Sequence, residues 1–230
     1  MRELEIRDLG RIGYAEAFDR QRDLVERRKQ GAIADQFLVV EHPHVITMGR
    51  NGRQENVLAG EEVLRRAEVE FHLSDRGGDV TYHGPGQIVG YPIVDLREWK
   101  RDVVAYVRTL EQALIDALAE FGIAAGRDPG NTGVWVKEGK IAAIGVHISR
   151  WVTSHGFALN VTTDLSYFRF IVPCGLAKPV ASFESLGLNA RRGEVVEAIV
   201  RNFARNFGYD SVEFVADLEA ANTEKTIWQT

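Results

Sequence analysis

The sequence predicts an α/β protein of the α+β kind, a mixed and mainly antiparallel β-sheet with helices packed on it. Three observations predict it. Segments with strand patterning outnumber helical ones and come in clusters. Strict strand–helix alternation is missing, and no G-x-G-x-x-G opens a helix, which argues against a doubly wound nucleotide fold. The two strongest apolar stripes at helical spacing run from Val103 to Phe121 and from Glu194 to Phe207.

In chain order, Glu3 to Asp8 puts Leu4 and Ile6 on one face of a half-exposed strand. A helical pattern follows through Tyr14, Phe18, Gln21, Leu24 and Val25, closed by Gly31 just past the helix end. Phe37-Leu38-Val39-Val40 reads as a strand buried on both faces. His42-Pro43-His44 then breaks the chain, because proline lacks a backbone donor and restricts the residue before it. Val69 to Leu73 alternates again, and Asp79 to Leu96 gives further strands interrupted at His83-Gly84-Pro85-Gly86. Asp102 caps the Val103–Phe121 helix and Gly122 ends it. Strand patterning returns at Gly133–Val136, Ile141–Ser149 and Trp151–Val161, with Lys137-Glu138-Gly139-Lys140 as a hairpin turn. The last helix and strand are expected to form a small appendage, and the tail from Ala216 is weakly patterned. The reading is therefore one catalytic-sized domain over 1–215 and a C-terminal tail over 216–230.

Composition bounds the function. A chain of 230 residues with 45% hydrophobic and 27% charged residues is long enough for one substantial core. No run of eighteen apolar residues spans a membrane, and the N-terminus has no apolar h-region of a secretory signal. One cysteine cannot form an internal disulfide, which fits a reducing cytoplasm. The net charge of −5 argues against a dedicated nucleic-acid binder.

Four segments carry candidate chemistry. Arg76-Gly77-Gly78-Asp79-Val80-Thr81-Tyr82-His83-Gly84-Pro85-Gly86-Gln87 has glycines at both ends, where the backbone can bend and approach a ligand, yet it is no phosphate loop. Lys140 opens a run of small and apolar residues through Val146. His155-Gly156-Phe157-Ala158-Leu159-Asn160 again combines small residues with a polar end. Cys174 stands between Pro173 and Gly175 at the end of an apolar run; read alone, it serves equally as a small buried hydrophobe or as a presented nucleophile. His42 and His44 lack a further ligand group at metal spacing, and no G-x-S-x-G is present.

Together these four segments, with Glu41-His42-Pro43-His44 and Gly133-Val134-Trp135, resemble the lipoyl(octanoyl) transferase family in order and spacing, over roughly residues 5 to 210. The resemblance implies a fold related to the catalytic domains of biotin and lipoate protein ligases. It implies transfer of an octanoyl group from octanoyl-acyl carrier protein to one lysine of a lipoyl carrier domain. The acceptors it implies are the lipoyl domains of 2-oxoacid dehydrogenases and the glycine cleavage H protein. It assigns Cys174 as the acyl-thioester nucleophile and Lys140 as the group that activates it. The acyl pocket it implies is lined by Arg76, Gly77, Gly78, Asp79, Val80, Thr81, Tyr82 and His83, by Ala143, Ile144 and Gly145, and by Gly156, Phe157 and Ala158. No ATP and no metal are expected, because a thioester substrate is already activated. Neither nucleic acid nor membrane is expected as a partner. An ATP-dependent lipoate or biotin protein ligase shares the fold and a lysine at Lys140, so Lys140 does not discriminate; Pro173-Cys174-Gly175 does. A non-catalytic acyl-carrier-binding module is the remaining alternative.

Overall fold

Alternation along one strand divides the interior in two. In β2 (Asp35–Glu41), Phe37 and Val39 point into one apolar cluster and Leu38 and Val40 into another, all fully buried. The computed structural model describes residues 1–172 and 178–215, so Cys174 and the tail from Ala216 lie outside the described residues. Among the described residues, eight strands form the main sheet. Their order is β11 (Ser211–Phe214), β1 (Glu3–Arg11), β2, β6 (Gln87–Ile93), β10 (Val152–Asn160), β9 (Gly139–Ser149), β8 (Asn131–Val136) and β7 (Gly126–Asp128). Only β1 is parallel to its neighbours, β2 and β11. The other pairings are antiparallel, as the clustered strand patterning predicts.

One face of this sheet is covered by α3 (Val103–Ala119) and α4 (Arg192–Phe207), which bury Leu110, Leu114, Ile199 and Phe203 against Phe37 and Leu159. Asp102 caps α3 as expected, its side chain accepting from Ala105 N at 2.9 Å. The other face receives α1 (Tyr14–Lys29) through Ala17, Leu24 and Val25. A second sheet, β4 (Glu70–Leu73), β3 (Val45–Met48) and β5 (Val80–His83), has its own cluster with Leu64 of the short α2 (Glu61–Arg66). No described helix is long and apolar enough to cross a membrane.

The structure corrects two expectations. The last helix and strand are no appendage: Phe203 lies 4.9 Å from Phe37 between ring centroids, α4 completes the main core, and β11 extends the sheet beside β1. An amphipathic helix needs an apolar partner face, and α3 supplies it. Lys140 is not in the hairpin turn. Val136 pairs with Gly139, so the turn is only Lys137-Glu138, and Lys140 is already in β9, 8% exposed. Its backbone is covered because Lys140 N donates to Pro179 O and Lys140 O accepts from Ala181 N, both at 3.0 Å.

A buried carboxylate ties α3 to the β7–β8 end of the sheet. Glu111 is fully buried and accepts from Arg108 Nη1 at 2.7 Å, Arg127 Nε at 2.9 Å and Gly133 N at 3.1 Å. Gly133 has φ +129°, and a Cβ there would sit 2.7 Å from Ala142 O, so only glycine fits. Glu111→Ala leaves that amide and two partly solvated guanidiniums without their acceptor. The expected loss is about 2–3 kcal/mol, read as a lower urea midpoint with an unchanged slope.

Candidate active site

The segment around Arg76 forms a roof over the α1 side of the main sheet. Gly77 N donates to Val146 O at 2.9 Å, and a Cβ at Gly145 would sit 2.8 Å from Gly77 O. Glycine at 145 therefore lets two backbones meet. Beneath this roof, Ala143 pairs with Ala158 and Gly145 with Gly156 across β9 and β10, giving a floor of small residues. Roof and floor leave a narrow cavity of about 40 Å³ between them, well below the roughly 300–1,000 Å³ usual for small-molecule pockets.

Of the residues expected to line a pocket, Arg76, Gly78, Thr81 and His83 come from the roof. Ala143, Ile144, Gly145, Gly156, Phe157 and Ala158 come from the sheet. The others are elsewhere. Val80 and Tyr82 point away into the cluster of the small sheet, since successive β5 side chains face opposite ways. Gly77 serves in docking the roof. The Asp79 carboxylate turns to a neighbouring groove, where it accepts from Arg53 N, Val80 N and the Asn56 side chain. Four lining residues were not foreseen: Tyr14, Val89, Tyr91 and His155. Tyr14 and Tyr91 read as ordinary packing residues in sequence, and only the tertiary fold turns them into the cavity. His155 belonged to a recognised motif, but its neighbours alone were assigned to the lining.

Arg76 is 8% exposed and donates through Nη2 to Thr47 O at 2.6 Å and through Nε to Thr47 Oγ1 at 3.2 Å. Two buried histidines lie close by, with ring centroids 5.8 Å apart. His42 donates from Nδ1 to Ile12 O at 2.9 Å and accepts from the Tyr91 hydroxyl at 2.7 Å. His83 donates from Nδ1 to Gln87 Oε1 at 2.8 Å, and Gln87 Nε2 donates to Asn160 Oδ1 at 2.9 Å. Burial pushes His42 down to about 4 and His83 down to about 3, so both rings are neutral at pH 7. Burial likewise raises Tyr14 and Tyr91. Tyr14, His83 and Tyr91 thus give the cavity wall polar atoms without charge.

His155 is held in an uncommon conformation. Pro92 in β6 has no N–H, and the β6–β10 ladder stops at Phe157 and Gly90. Just beyond, His155 takes φ +55°, and its N–H turns to Gln21 Oε1 of α1 at 2.8 Å. Such a conformation costs about 1 kcal/mol or more in a non-glycine residue. The ring is fixed by Phe18, with centroids 5.4 Å apart, and donates from Nε2 to Asp75 Oδ1 at 2.6 Å. That hydrogen bond, more than any other influence that lowers it, holds Asp75 below the usual carboxylate range.

Lys140 lines two of three adjoining spaces. It lines a polar groove with Asn51, Asn56, Asp79 and Asn131, and a small chamber with Thr81, Asn160 and Phe168. The chamber shares Thr81, Ala143 and Ala158 with the apolar cavity, and the groove shares Gly78 and Ile144 with it. Lys140 Nζ is 4.8 Å from the Trp135 ring centroid, and Lys178 Nζ is 5.0 Å from the same ring. The chain on either side of the undescribed residues is anchored at this groove. Val172 N donates to Asn56 O at 2.8 Å, and Lys178 pairs with Asp128 at 2.7 Å. Among the described residues, no group of three or more His, Cys, Asp or Glu could hold a metal ion.

Residues 13–204 match the family described as the lipoyl protein ligase A/B catalytic domain. An octanoyltransferase of Solibacter usitatus is 64% identical over 210 residues, covering 91% of this chain and 96% of the relative. An octanoyltransferase of Koribacter versatilis is 51% identical over 226 residues, covering 95% and 88%. Among solved structures, a lipoate-protein ligase A bound with ATP superposes with a TM-score of 0.74 at 16% identity, covering 94% of this chain and 88% of that one. A biotin protein ligase of Aquifex aeolicus gives 0.53 at 14% identity, covering 90% and 70%. At such identities these two structures establish a shared fold.

The neutral histidines make the protein acid-sensitive. Below 6.5 an unfolded His42 or His83 takes up a proton that the folded site refuses, so stability falls as pH drops toward the folded values. Between pH 7 and pH 5 the expected loss is about 2 kcal/mol for each histidine. Urea midpoints at the two pH values measure it, and the ring C2–H resonances of both residues should keep neutral-form shifts at pH 5. Titration of either ring near 6.5 in the folded protein would contradict the assignment.

Proposed function

The chain belongs to the octanoyltransferases of the lipoyl protein ligase A/B catalytic family, and we propose that it moves its octanoyl group from octanoyl-acyl carrier protein to a carrier lysine through a thioester on Cys174. The acceptors are lipoyl domains of 2-oxoacid dehydrogenases and the glycine cleavage H protein. The catalytic unit is residues 1–215, with 216–230 as a tail, and the reaction is cytoplasmic. The observation that carries the reading is an apolar cavity beside a polar groove and a small chamber that the buried Lys140 lines.

The apolar part suits an octanoyl chain in its chemistry. About six methylenes leaving water contribute roughly 5 kcal/mol at ~0.8 kcal/mol each. The carbonyl carbon then lies toward Lys140. Cys174 is two residues beyond Val172, whose backbone is bonded to Asn56 of the groove.

In the first half-reaction the Cys174 thiolate attacks the donor thioester carbonyl, the carbon–sulfur bond to the carrier breaks, and the carrier thiolate leaves as the thiol with the proton given up by Lys140, which is then neutral. A nearby ammonium favours the thiolate over the thiol, which is the role given to Lys140. The two groups then titrate as a pair. In the second half-reaction the acceptor lysine amine attacks the acyl-enzyme, Lys140 takes the proton released from that amine, and the Cys174 thiolate is regenerated. Thr81, which lines both the cavity and the chamber beside Lys140, is positioned to steady the acyl group during both attacks. The scheme consumes no ATP and uses no metal, since the donor thioester is already activated.

Incubation with octanoyl-acyl carrier protein in the absence of ATP should give an octanoyl adduct on the intact protein by mass spectrometry. The adduct should map to Cys174 and vanish in Cys174→Ala. Lys140→Met should slow its formation by about 10²–10⁴-fold, the usual contribution of a positioned acid–base group. Carrier modification that requires ATP and passes through no adduct would assign the chain to the ligase reaction instead.

A further inference from the structure

We propose that the polar groove beside Lys140 is a subsite for the pantetheine arm of the donor, a flexible amide-bearing thiol; the proposal rests on the thioester reading above. The groove and the acyl cavity differ in chemistry yet share Gly78 and Ile144. The cavity floor is alanine, glycine and aromatic surface. The groove is walled by Asn51, Arg53 and Asn56 from one segment and by Asn131 and Thr132 from another, around a volume of about 500 Å³. A donor acyl thioester has the same division. On one side of its carbonyl is an alkyl chain, and on the other is an arm with two amides, a hydroxyl and a terminal phosphate.

The side chains suit that arm in detail. Asn56 donates its amide to Asp79 and Asn131 donates its amide to Asp128, so both leave carbonyl oxygens to accept N–H groups. Asp79, which would otherwise repel a phosphate, is engaged by Arg53 N, Val80 N and Asn56. Asn51 and Thr132 are exposed on opposite walls and offer both donors and acceptors. The Arg53 guanidinium, 74% exposed, lines the groove and can exchange its exposed partner Glu55, 3.4 Å away, for the phosphate end. An acceptor lysine presents only a four-methylene stem and an amine, which uses little of such a wall.

The test compares two donors on the full chain, octanoyl-pantetheine and octanoyl-ethanethiol, which has no amide. The rate of octanoyl adduct formation is followed by quenching and mass spectrometry, in the native protein and in an Asn51→Ala, Thr132→Val double variant. Both substitutions are at exposed positions, so thermal melting should match the native protein. The native rate ratio between the two donors should be about tenfold or more, the effect of one or two hydrogen bonds. In the variant the ratio should fall to within about twofold. A native ratio near one, or a ratio the variant leaves intact, overturns the subsite alone. An intact ratio with slowed transfer from preformed octanoyl-enzyme to a lipoyl domain overturns it in favour of the acceptor. Absence of an adduct from both donors overturns the thioester reading itself.

Discussion

The cavity exists because the Arg76 segment can lie directly on the large sheet. The anchor is one backbone hydrogen bond, Gly77 N to Val146 O at 2.9 Å. It requires that nothing project from Gly145, where a Cβ would sit 2.8 Å from Gly77 O. The same demand falls on Gly49, where a Cβ would sit 2.4 Å from Gly78 O. A side chain at either position would lift the roof and widen the cavity toward water. Glycine here is spent on a close approach between two backbones rather than on making room for a ligand.

Once that contact is made, strand alternation distributes the chemistry. In β5, Thr81 and His83 face the cavity while Val80 and Tyr82 fasten the strand to its own apolar cluster. The residues that hold the roof and the residues that present chemistry are therefore neighbours in sequence with opposite directions in space. Burial then strips the charge from His42 and His83 and leaves an interior suited to an alkyl chain. The cationic side chains here are Arg76 in the cavity wall and Lys140 and Lys178 near the Trp135 ring.

Much of this was legible in the sequence. Continuous apolar runs such as Phe37 to Val40 and the α3 stripe closed by Asp102 gave the sheet class and the helices, because burial leaves a pattern in hydrophobicity. The small residues at 143, 145, 156 and 158 announced a close approach, though not which atoms would approach. Other features left no local trace. The β3 strand at Val45–Met48 is too short to show a period and is defined by pairing with β4 and β5. The burial of Lys140 depends on Pro179 and Ala181, forty residues away. The division of β5 between two clusters depends on register, which a sequence of alternating buried residues does not reveal.

The break in the ladder at Pro92 has a wider consequence. Where the β6–β10 ladder stops, the His155 N–H finds its acceptor on α1, in the side chain of Gln21, which is 1% exposed. A helix held on a sheet by leucines alone can settle in several neighbouring positions with similar contact. Here a one-turn slide of about 5.4 Å would strand a buried amide, at a cost of roughly 1–3 kcal/mol. The helix that carries Tyr14 into the cavity is thereby indexed to a single position by a polar contact, and an amide that turns away from its own sheet becomes a means of alignment.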